Sequence, residues 1–481
     1  MRKPFILPLL LAGLLAGCAT MAPKYERPES PTADAYPVAT TGQGDIRAVD
    51  IGWREFFQDA RLQTLIEAAL ENNRDLRSAV LNIEAARASY NIQSSERLPS
   101  ITGEGSFSRA RTSESISRTG EANTFSEYRV ALGVSAFELD FFGRVRSLSE
   151  AALAQYLATE EAARSAQISL VAEVARAYLA ERAFAEQLDL ARRTVQAREA
   201  SYQLAQQRFE AGAASALDLR QVETLLEQAR VSAAALARQQ AQAVNALTVL
   251  VGTPLQQLSL PAPLTLSDQR LLADIPAGLP SDLLTLRPDI RSAEQQLISA
   301  NANIGAARAA FFPRISLTGS IGTVSAELSD LFGSGTGTWL FMPQISLPIF
   351  DGGRNRANLA LSEVRKSQAV VAYERTIQVA FREVADALVA RDNLEEQVAA
   401  QERLRAAQAE RLALAEQRYE SGVASYLDVL DAQRELFSAE QDLVQTRQLR
   451  LTNSIDFYRA LGGGLREQSP PVVVEPLATN D

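Results

Sequence analysis

Histidine is absent from this chain of 481 residues, and cysteine occurs only once, at Cys18. The lack of imidazole excludes Ser-His and Cys-His catalysis and histidine-bound metals, and a single cysteine excludes an internal disulfide and a cysteine zinc site. The sequence also has no phosphate-binding loop, and its formal charge of −10 without a basic patch argues against nucleic acid. We therefore predict a protein that is not an enzyme and that uses no cofactor or metal.

The lone cysteine lies where a bacterial lipoprotein would carry it. A basic start and an apolar run too short to span a membrane precede the sequence Leu-Ala-Gly-Cys, which ends at Cys18. This pattern predicts a signal peptide at 1–17 and lipidation of Cys18. The alternative is an ordinary signal peptide followed by a free thiol. Ala19, where inner-membrane lipoproteins usually have aspartate, favours the outer membrane.

Residues 18–58 are predicted to form a lipidated N-terminal tether. The segment has little apolar periodicity and carries Pro23, Pro28, Pro31 and Pro37. Polyproline-like chain extends by about 3.1 Å per residue, so this segment would reach on the order of 100 Å.

From Asp59 onward the sequence repeats one plan twice. The matching landmarks are 74–79 with 288–293, Pro99 with Pro313, 143–144 with 353–354, and 208–212 with 418–422. So many matches in the same order indicate a tandem internal duplication. The predicted segments are a first repeat at 59–254, a proline-rich linker at 255–280, a second repeat at 281–461 and a C-terminal tail at 462–481.

Each repeat contains a helix, two short alternating segments and a long helical hairpin. These lie at about 60–97, 98–140 and 144–250 in the first repeat, and at 288–311, 313–350 and 354–460 in the second. The stretches 144–210 and 354–420 lack glycine and proline, so each is predicted to be one helix of about 100 Å.

The first long helix carries a coiled-coil seam with Arg198 as its one misfit. Its apolar members recur at heptad spacing: Phe184, Leu188, Ala191, Val195, Tyr202, Ala205 and Phe209. A plain helical bundle is the alternative until the strands are considered.

The two long helices end in the same kind of turn. Gly212 and Gly422 supply the left-handed residue that stops a helix. Ser215 and Ser425 follow as predicted N-caps, each with an aspartate three residues later in the place of the usual capping-box glutamate. Each repeat is therefore predicted to end in a tight helical hairpin.

The four short segments alternate between apolar residues and small or polar ones, as half-buried strands do. A soluble antiparallel sheet would alternate as well, but the lipoprotein start favours membrane strands, which are about ten residues long. No open sheet edge can face lipid, and about eight strands are needed to close a barrel. Four strands must therefore be shared between chains.

Two chains would give a barrel filled by side chains, whereas three would give twelve strands and room for a pore. The small polar residues on one strand face suit an open lumen. We therefore predict an α+β membrane protein: a homotrimer with a shared twelve-strand β-barrel, four strands per chain, continued by a long α-helical barrel of coiled-coil hairpins.

Four segments carry motifs of a known family: LRPD at 286–289, ANANIGAARAAFFP at 300–313, YLDVLDAQR at 426–434 and ALGGG at 460–464. They resemble the outer-membrane factor family of tripartite efflux systems, the TolC-like channels, in particular the lipoprotein branch that includes OprM and CusC. The resemblance runs from Cys18 to about Gly464. It implies a trimeric barrel in the outer membrane, a twelve-helix barrel in the periplasm, and an equatorial belt that holds the linker and the tail.

The resemblance also assigns a periplasmic gate. Leu427, Asp431 and Arg434 lie at i, i+4 and i+7 on one helix face, and by resemblance they line the constricted tip. Tyr419 and Asp218 match positions in the contacts that hold the tip shut. Spacing alone favours a plainer interpretation, in which Asp431 and Arg434 form an exposed ion pair worth roughly a few tenths of a kcal/mol.

The function implied by the resemblance is a passive export conduit. A periplasmic adaptor protein would dock at Gly212, Ser215, Gly422 and Ser425, and an inner-membrane pump of the resistance-nodulation-division type would supply the energy. A type I secretion conduit for polypeptides remains an alternative, because it would use the same tube. A structural scaffold is disfavoured, because it needs no small polar strand face. The sequence does not reveal whether the cargo is drugs, solvents, dyes or metal ions.

One residue departs from the family pattern. Glu420 stands where some relatives carry a basic side chain. The contacts that hold the tip shut therefore differ from theirs at this position.

Overall fold

A computed structural model of the chain describes residues 20–37, 47–118, 120–272, 275–278 and 280–469. Its helices, leaving out single 3₁₀ turns, are α1 (Trp53–Phe56), α2 (Ala60–Asn72), α3 (Arg74–Ser95), α4 (Arg144–Glu210), α5 (Ala216–Val251), α6 (Pro280–Leu286), α7 (Pro288–Ala309), α8 (Arg354–Glu420) and α9 (Tyr426–Ala460). Its strands are β1 (Ile101–Thr112), β2 (Asn123–Glu138), β3 (Arg314–Ser325) and β4 (Gly337–Ser346). The predicted signal peptide and Cys18 lie outside the described residues.

The chain forms two compact units. The sheet unit consists of the segments up to Glu29, Asn82–Glu160 and Ser292–Glu374. The hairpin unit consists of Ser30–Leu81, Glu161–Arg291 and the chain from Arg375 onward. Within the part of the chain that the structure describes, no helix combines the length and the apolar character needed to cross a membrane.

The duplication predicted from the sequence is confirmed in the order of the elements. The first half contributes α3, β1, β2, α4 and α5, and the second contributes α7, β3, β4, α8 and α9. Both long helices, α4 and α8, contain 67 residues and span the two stretches that lack glycine and proline. Without those two residue types neither helix meets a local break.

The helix predicted at 60–97 is in fact two helices, so that prediction is wrong. Asn73 separates α2 from α3 with an extended backbone, φ −63° and ψ 130°. Its side-chain oxygen accepts a hydrogen bond from the backbone N–H of Leu76 at 2.8 Å, and its amide nitrogen donates to the carbonyl of Leu250 at 2.8 Å. An asparagine side chain that competes for backbone groups favours a cap over a helix interior.

The first described residues belong to the predicted N-terminal tether, and polar contacts hold them within the sheet unit. Asn301 donates to the carbonyl of Pro23 at 2.7 Å, and Arg27 forms a two-pronged ion pair with Glu294 at 2.7 and 2.9 Å. A side chain at Gly305 would meet the backbone of this segment at 2.7 Å. Residues 20–27 of the predicted tether are therefore held by specific polar partners.

The sheet is antiparallel with the order β1-β2-β3-β4, so β1 and β4 are its edges. Most of the large apolar side chains of one face are exposed: Ile101, Phe107, Val130, Leu132, Ile321, Trp339, Phe341 and Ile345. The opposite face, here called the polar face, carries mainly small and polar residues, among them Thr102, Ser106, Gly133, Ser316, Thr318 and Ser320. An apolar face that this chain leaves uncovered suits contact with lipid.

A β-bulge in β2 interrupts the alternation that the sequence predicts there. The register shifts between Val134 and Phe137, and Ala136 adopts a left-handed φ of 51°. The shift places Phe137 opposite Leu317 on the apolar face. It places Glu138, the next residue, on the polar face, where it ends the strand.

The core of the hairpin unit contains an aromatic cluster that consists of Trp53, Phe56, Phe57 and Tyr458, all at most 2% exposed. The rings of Phe56 and Tyr458 stack at 4.1 Å. The hydroxyl of Tyr458 donates to the carbonyl of Ile51 at 2.6 Å, and burial raises the pKa of this phenol. The cluster therefore joins the segment before α2 to the end of α9.

Candidate functional site at the hairpin tips

Each helical hairpin turns at a glycine in the left-handed region. Gly212 has φ 72° and Gly422 has φ 73°, and no atom lies within 4 Å of where a side chain would begin at either position. Ser215 then begins α5 as an N-cap in a reciprocal capping box with Asp218. Ser425 begins α9, where its backbone N–H donates to the Asp428 carboxylate at 3.2 Å. The predicted turns and caps are confirmed, whereas the docking role assigned to these residues stays a prediction.

Asp218 belongs to the capping box of α5. Its carboxylate accepts hydrogen bonds from the hydroxyl of Ser215 at 2.7 Å and from the Ser215 backbone N–H at 3.0 Å. The hydroxyl hydrogen bond, followed by the backbone one, holds the pKa of Asp218 below its usual range. Asp218 and Tyr419 line the same groove but share no hydrogen bond among the described residues.

Tyr419 links the two hairpins through a residue that the sequence analysis missed. Arg208, near the end of α4, donates to the Tyr419 hydroxyl, and its guanidinium lies 5.7 Å from the centre of the Tyr419 ring. Tyr426 packs beside Tyr419 with a ring separation of 4.9 Å. A cation above an aromatic ring at an exposed site contributes about 0.5–1 kcal/mol, so this link is weak.

Asp431 is held by two arginines, one for each carboxylate oxygen. Arg434 lies 2.6 Å from Oδ1 and Arg411 lies 2.6 Å from Oδ2. Leu427, on the same helix face, is 56% exposed. The structure therefore brings Asp431 and Arg434 together as the spacing predicts, and it adds Arg411 from the opposite helix of the hairpin.

The position of Arg411 carries a signal that the sequence analysis did not use. Residues equally far from the turn of an antiparallel helical hairpin lie side by side. Arg411 and Asp431 are each ten residues from Ser421, since 421 − 411 = 431 − 421 = 10.

Arg198, the misfit of the heptad seam, is buried inside the hairpin unit. Its NH1 group donates to the carbonyl of Leu225 in α5 at 2.7 Å, and its guanidinium lies 5.8 Å from the ring of Phe437 in α9. Desolvation by this burial lowers the pKa of Arg198. Phe437 also packs on an apolar cluster around Leu188, so above the tips the two hairpins join through an apolar seam.

The tips thus combine a few polar links with high exposure. Within the described residues, no group of three or more histidine, cysteine, aspartate or glutamate side chains could hold a metal ion. The chemistry available at the tips is that of exposed charge pairs and weak aromatic contacts. Such links can separate without unfolding either hairpin.

Among the described residues, an uncovered apolar sheet face, two unpaired sheet edges and paired hairpins with charged tips are the features of a membrane channel subunit. Comparison with known proteins agrees. The outer membrane efflux protein family matches residues 65–253 and 279–463. The chain belongs to the outer membrane efflux protein family, whose members are channel proteins.

The chain is 49% identical over 473 residues to the toluene efflux pump outer membrane protein TtgC of Pseudomonas putida, covering 98% of this chain and 97% of that protein. It is 48% identical over 476 residues to the outer membrane protein OprJ of Pseudomonas aeruginosa, covering 98% and 99%. The open-state crystal structure of the Neisseria gonorrhoeae MtrE outer membrane channel matches with a TM-score of 0.86 at 44% identity, covering 94% of this chain and 100% of that one. The chain is therefore an outer-membrane efflux channel, and the predicted fold class is confirmed.

Proposed function

We propose that three copies of the chain close a single export channel. The observation that supports this most directly is the four-stranded sheet with unpaired edges at β1 and β4 and an exposed apolar face. Unpaired backbone groups are too costly to leave in lipid, so each edge must meet an edge of another copy. Twelve strands from three copies enclose an aqueous lumen lined by the polar face.

The mass of the protein in detergent tests this proposal. Native mass spectrometry should give three chains, each of 52.2 kDa less the signal peptide and with any attached lipid added. Crosslinks between β1 of one copy and β4 of the next should form at the same time. A stable, monodisperse monomer with folded strands would contradict the proposal.

The channel receives its cargo from a periplasmic adaptor and an inner-membrane pump. The hairpin tips, with Gly212, Ser215, Gly422 and Ser425, are the proposed adaptor contact, because they are exposed and shaped by a repeated turn. A pump of the resistance-nodulation-division type is the proposed energy source. The relative TtgC is named for toluene efflux, which supports small organic cargo over polypeptides.

Site-directed photocrosslinking from position 423, the exposed residue after Gly422, tests the adaptor contact. The adaptor encoded beside the channel gene should be captured from this position and from its counterpart, position 213. If the adaptor is captured from exposed positions on α8 far from the tip, but from neither turn, the adaptor contact lies away from the tips.

The gate is the set Leu427, Asp431, Arg434, Tyr419 and Asp218. Under three-fold symmetry, three Asp431 carboxylates surround one axis, where they would repel one another and favour cations. Two arginines on each carboxylate offset this repulsion in the closed state. Opening then requires the links at the tip, including Arg208 with Tyr419, to separate.

Cys18 carries the proposed lipid anchor, although it lies outside the described residues. Mass spectrometry of the mature N-terminus should show an acylated cysteine. Cleavage at another position or an unmodified thiol would refute the anchor. Cys18→Ser should weaken anchoring and still permit assembly, because the barrel holds the membrane independently.

A further inference from the structure

A pocket of about 340 Å³ lies in the sheet unit, where β2 and β4 end and α4 and α8 begin. This volume is within the range of about 300–1,000 Å³ that is typical of small-molecule pockets. Its lining includes four apolar side chains, Phe141, Phe142, Phe312 and Pro348, and three cationic ones, Arg144, Arg314 and Arg354. None of these residues belongs to the hairpin tips.

The charges of the pocket leave an excess of cation. Glu138 is shared by two guanidinium groups: Arg144 holds both of its oxygens at 2.9 Å, and Arg314 reaches Oε2 at 2.5 Å. Asp140 is used as a helix cap, since it accepts from the backbone N–H of Arg146 at 2.7 Å. Three arginines therefore face two carboxylates in the lining, a balance of +3 − 2 = +1.

Two of the arginines still have groups to offer a ligand. The side chain of Arg314 is 59% exposed and uses one nitrogen for Glu138. Arg354 is exposed. Its charge adds to the backbone hydrogen bonds that lower the pKa of Asp351, but within the described part of the chain it makes no ion pair within 4 Å. The rings of Phe142 and Phe312 stack at 4.9 Å and provide a flat apolar surface nearby.

The strand register fixes the face on which the pocket opens. Arg314 lies opposite Ser346 and Glu138 opposite Ser316, so the charged residues are on the polar face. The β-bulge at Ala136 is what turns Glu138 to this face. In the proposed channel the polar face lines the lumen, and the inference that follows rests on that proposal.

We propose that this pocket is a binding station for amphiphilic organic anions on the export path. A sulfonate or carboxylate of the cargo meets Arg314 and Arg354, and its aromatic body lies against Phe142 and Phe312. A planar guanidinium matches the oxygens of such an anion. Binding at an intermediate station that is favourable yet weak lets cargo enter and leave.

Single-channel recording in planar bilayers with 2-naphthalenesulfonate tests the proposal. The probe is added from the barrel side, so that the gate at the tips does not limit its access. It should reduce the current through the unmodified trimer in a concentration-dependent way. Neutral 2-naphthalenesulfonamide, which has nearly the same shape, should reduce the current far less.

The double variant Arg314→Gln/Arg354→Gln should raise the half-blocking concentration of the sulfonate by about tenfold or more, because it removes the charge-assisted hydrogen bonds. Arg354→Gln alone should raise it in the same direction, and this residue has no ion pair on which folding depends. Arg129→Gln is the matched control. It removes an arginine from the same sheet face, opposite Ser106 and away from the pocket, and should leave the block unchanged.

Three outcomes would refute anion binding at this pocket while leaving the channel function intact. They are conducting channels that the sulfonate does not block, equal block by the sulfonamide, and equal block of the double variant. Loss of block in Arg129→Gln as large as in the double variant would assign the effect to general lumen charge and also refute the pocket. A protein that forms no conducting channel would overturn the proposed function itself, and this inference with it.

Discussion

Gly252 and Gly422 both end helices of the hairpin unit with almost the same backbone, φ 76° and φ 73°. Their surroundings are opposite. A side chain at Gly252 would collide with the backbone of Asn72 and Asn73, whereas one at Gly422 would meet nothing within 4 Å. The first glycine is required by packing as well as by its conformation, and the second by conformation alone.

The same contrast holds for the charges in the two regions. Near the aromatic cluster, the Arg287 side chain is 7% exposed and binds Asp289, Glu383 and the carbonyl of Ala460. At the tip, the Arg434 side chain is 59% exposed beside Asp431. The packed end of the hairpin unit therefore holds the fold, and the open end is free to rearrange. The proposed opening of the channel at its tip depends on this division.

The largest expected effect is that of Gly252→Val. The new side chain meets backbone atoms that cannot move aside and adds the strain of a left-handed β-branched residue, so we expect a loss of at least about 3–5 kcal/mol of stability, or failure to assemble. Circular dichroism on heating and native mass measure it. Gly212→Val is the matched control, because it introduces the same backbone strain without a collision. Equal losses of stability in the two variants would contradict the difference between the two regions.

The second comparison removes an arginine from each region. Arg287→Ala leaves Asp289 unpaired and Glu383 with Arg459 as its remaining partner. It should destabilise the protein by about 3 kcal/mol, the low end of the cost of breaking a buried ion pair. Arg434→Ala at the tip should change stability by less than about 1 kcal/mol. Chemical denaturation of both variants in the same detergent checks this. A similar cost for both would mean that the tip is as tightly coupled to the core as the aromatic cluster is.

Gly422→Val should destabilise the protein less than Gly252→Val does, but it should impair efflux strongly. The strain at one open turn is about 1–2 kcal/mol, so trimers should still insert into the membrane. The distorted turn should reduce adaptor crosslinking and efflux of a fluorescent dye. Normal crosslinking and normal efflux in this variant would show that the turn is not the docking surface.

The smallest expected effect is a pH dependence in the stability of the first turn of α5, where the capping box lies. Because Ser215 lowers the pKa of Asp218, the stabilisation is present above the ordinary aspartate pKa and is lost as pH falls through the lowered value. In Ser215→Ala, the stabilisation from the Asp218 carboxylate should begin to disappear at a higher pH than in the parent protein. Hydrogen exchange of the first turn of α5 between pH 3 and pH 6 measures it, and an unchanged profile would show that the box does not hold this helix end.

Much of this architecture could be predicted from local sequence. The bounds of α4 and α8 follow from stretches without glycine or proline, and the caps at Ser215 and Ser425 follow from residues only three positions apart. Such features depend on neighbours in the chain, which the sequence displays directly.

The features that escaped prediction depend on distant partners. Asn73 breaks a helical pattern because it bonds to Leu250, and the bulge at Ala136 bonds to Thr318 of another strand. Arg411 reaches Asp431 only after the hairpin has folded. No local pattern marks these residues, although counting from the turn would have found Arg411.

The central claim, a trimeric channel closed at its tip by charge pairs, is tested most directly by single-channel conductance of Asp431→Ala/Arg434→Ala in planar bilayers. With the trimer verified by native mass, the variant should show higher conductance, more leak and weaker cation preference than the parent, because the carboxylate ring and its partners are gone. Arg411→Ala should shift conductance in the same direction. An intact trimer that conducts and selects as the parent does would place the constriction elsewhere and reduce Asp431 and Arg434 to a surface ion pair.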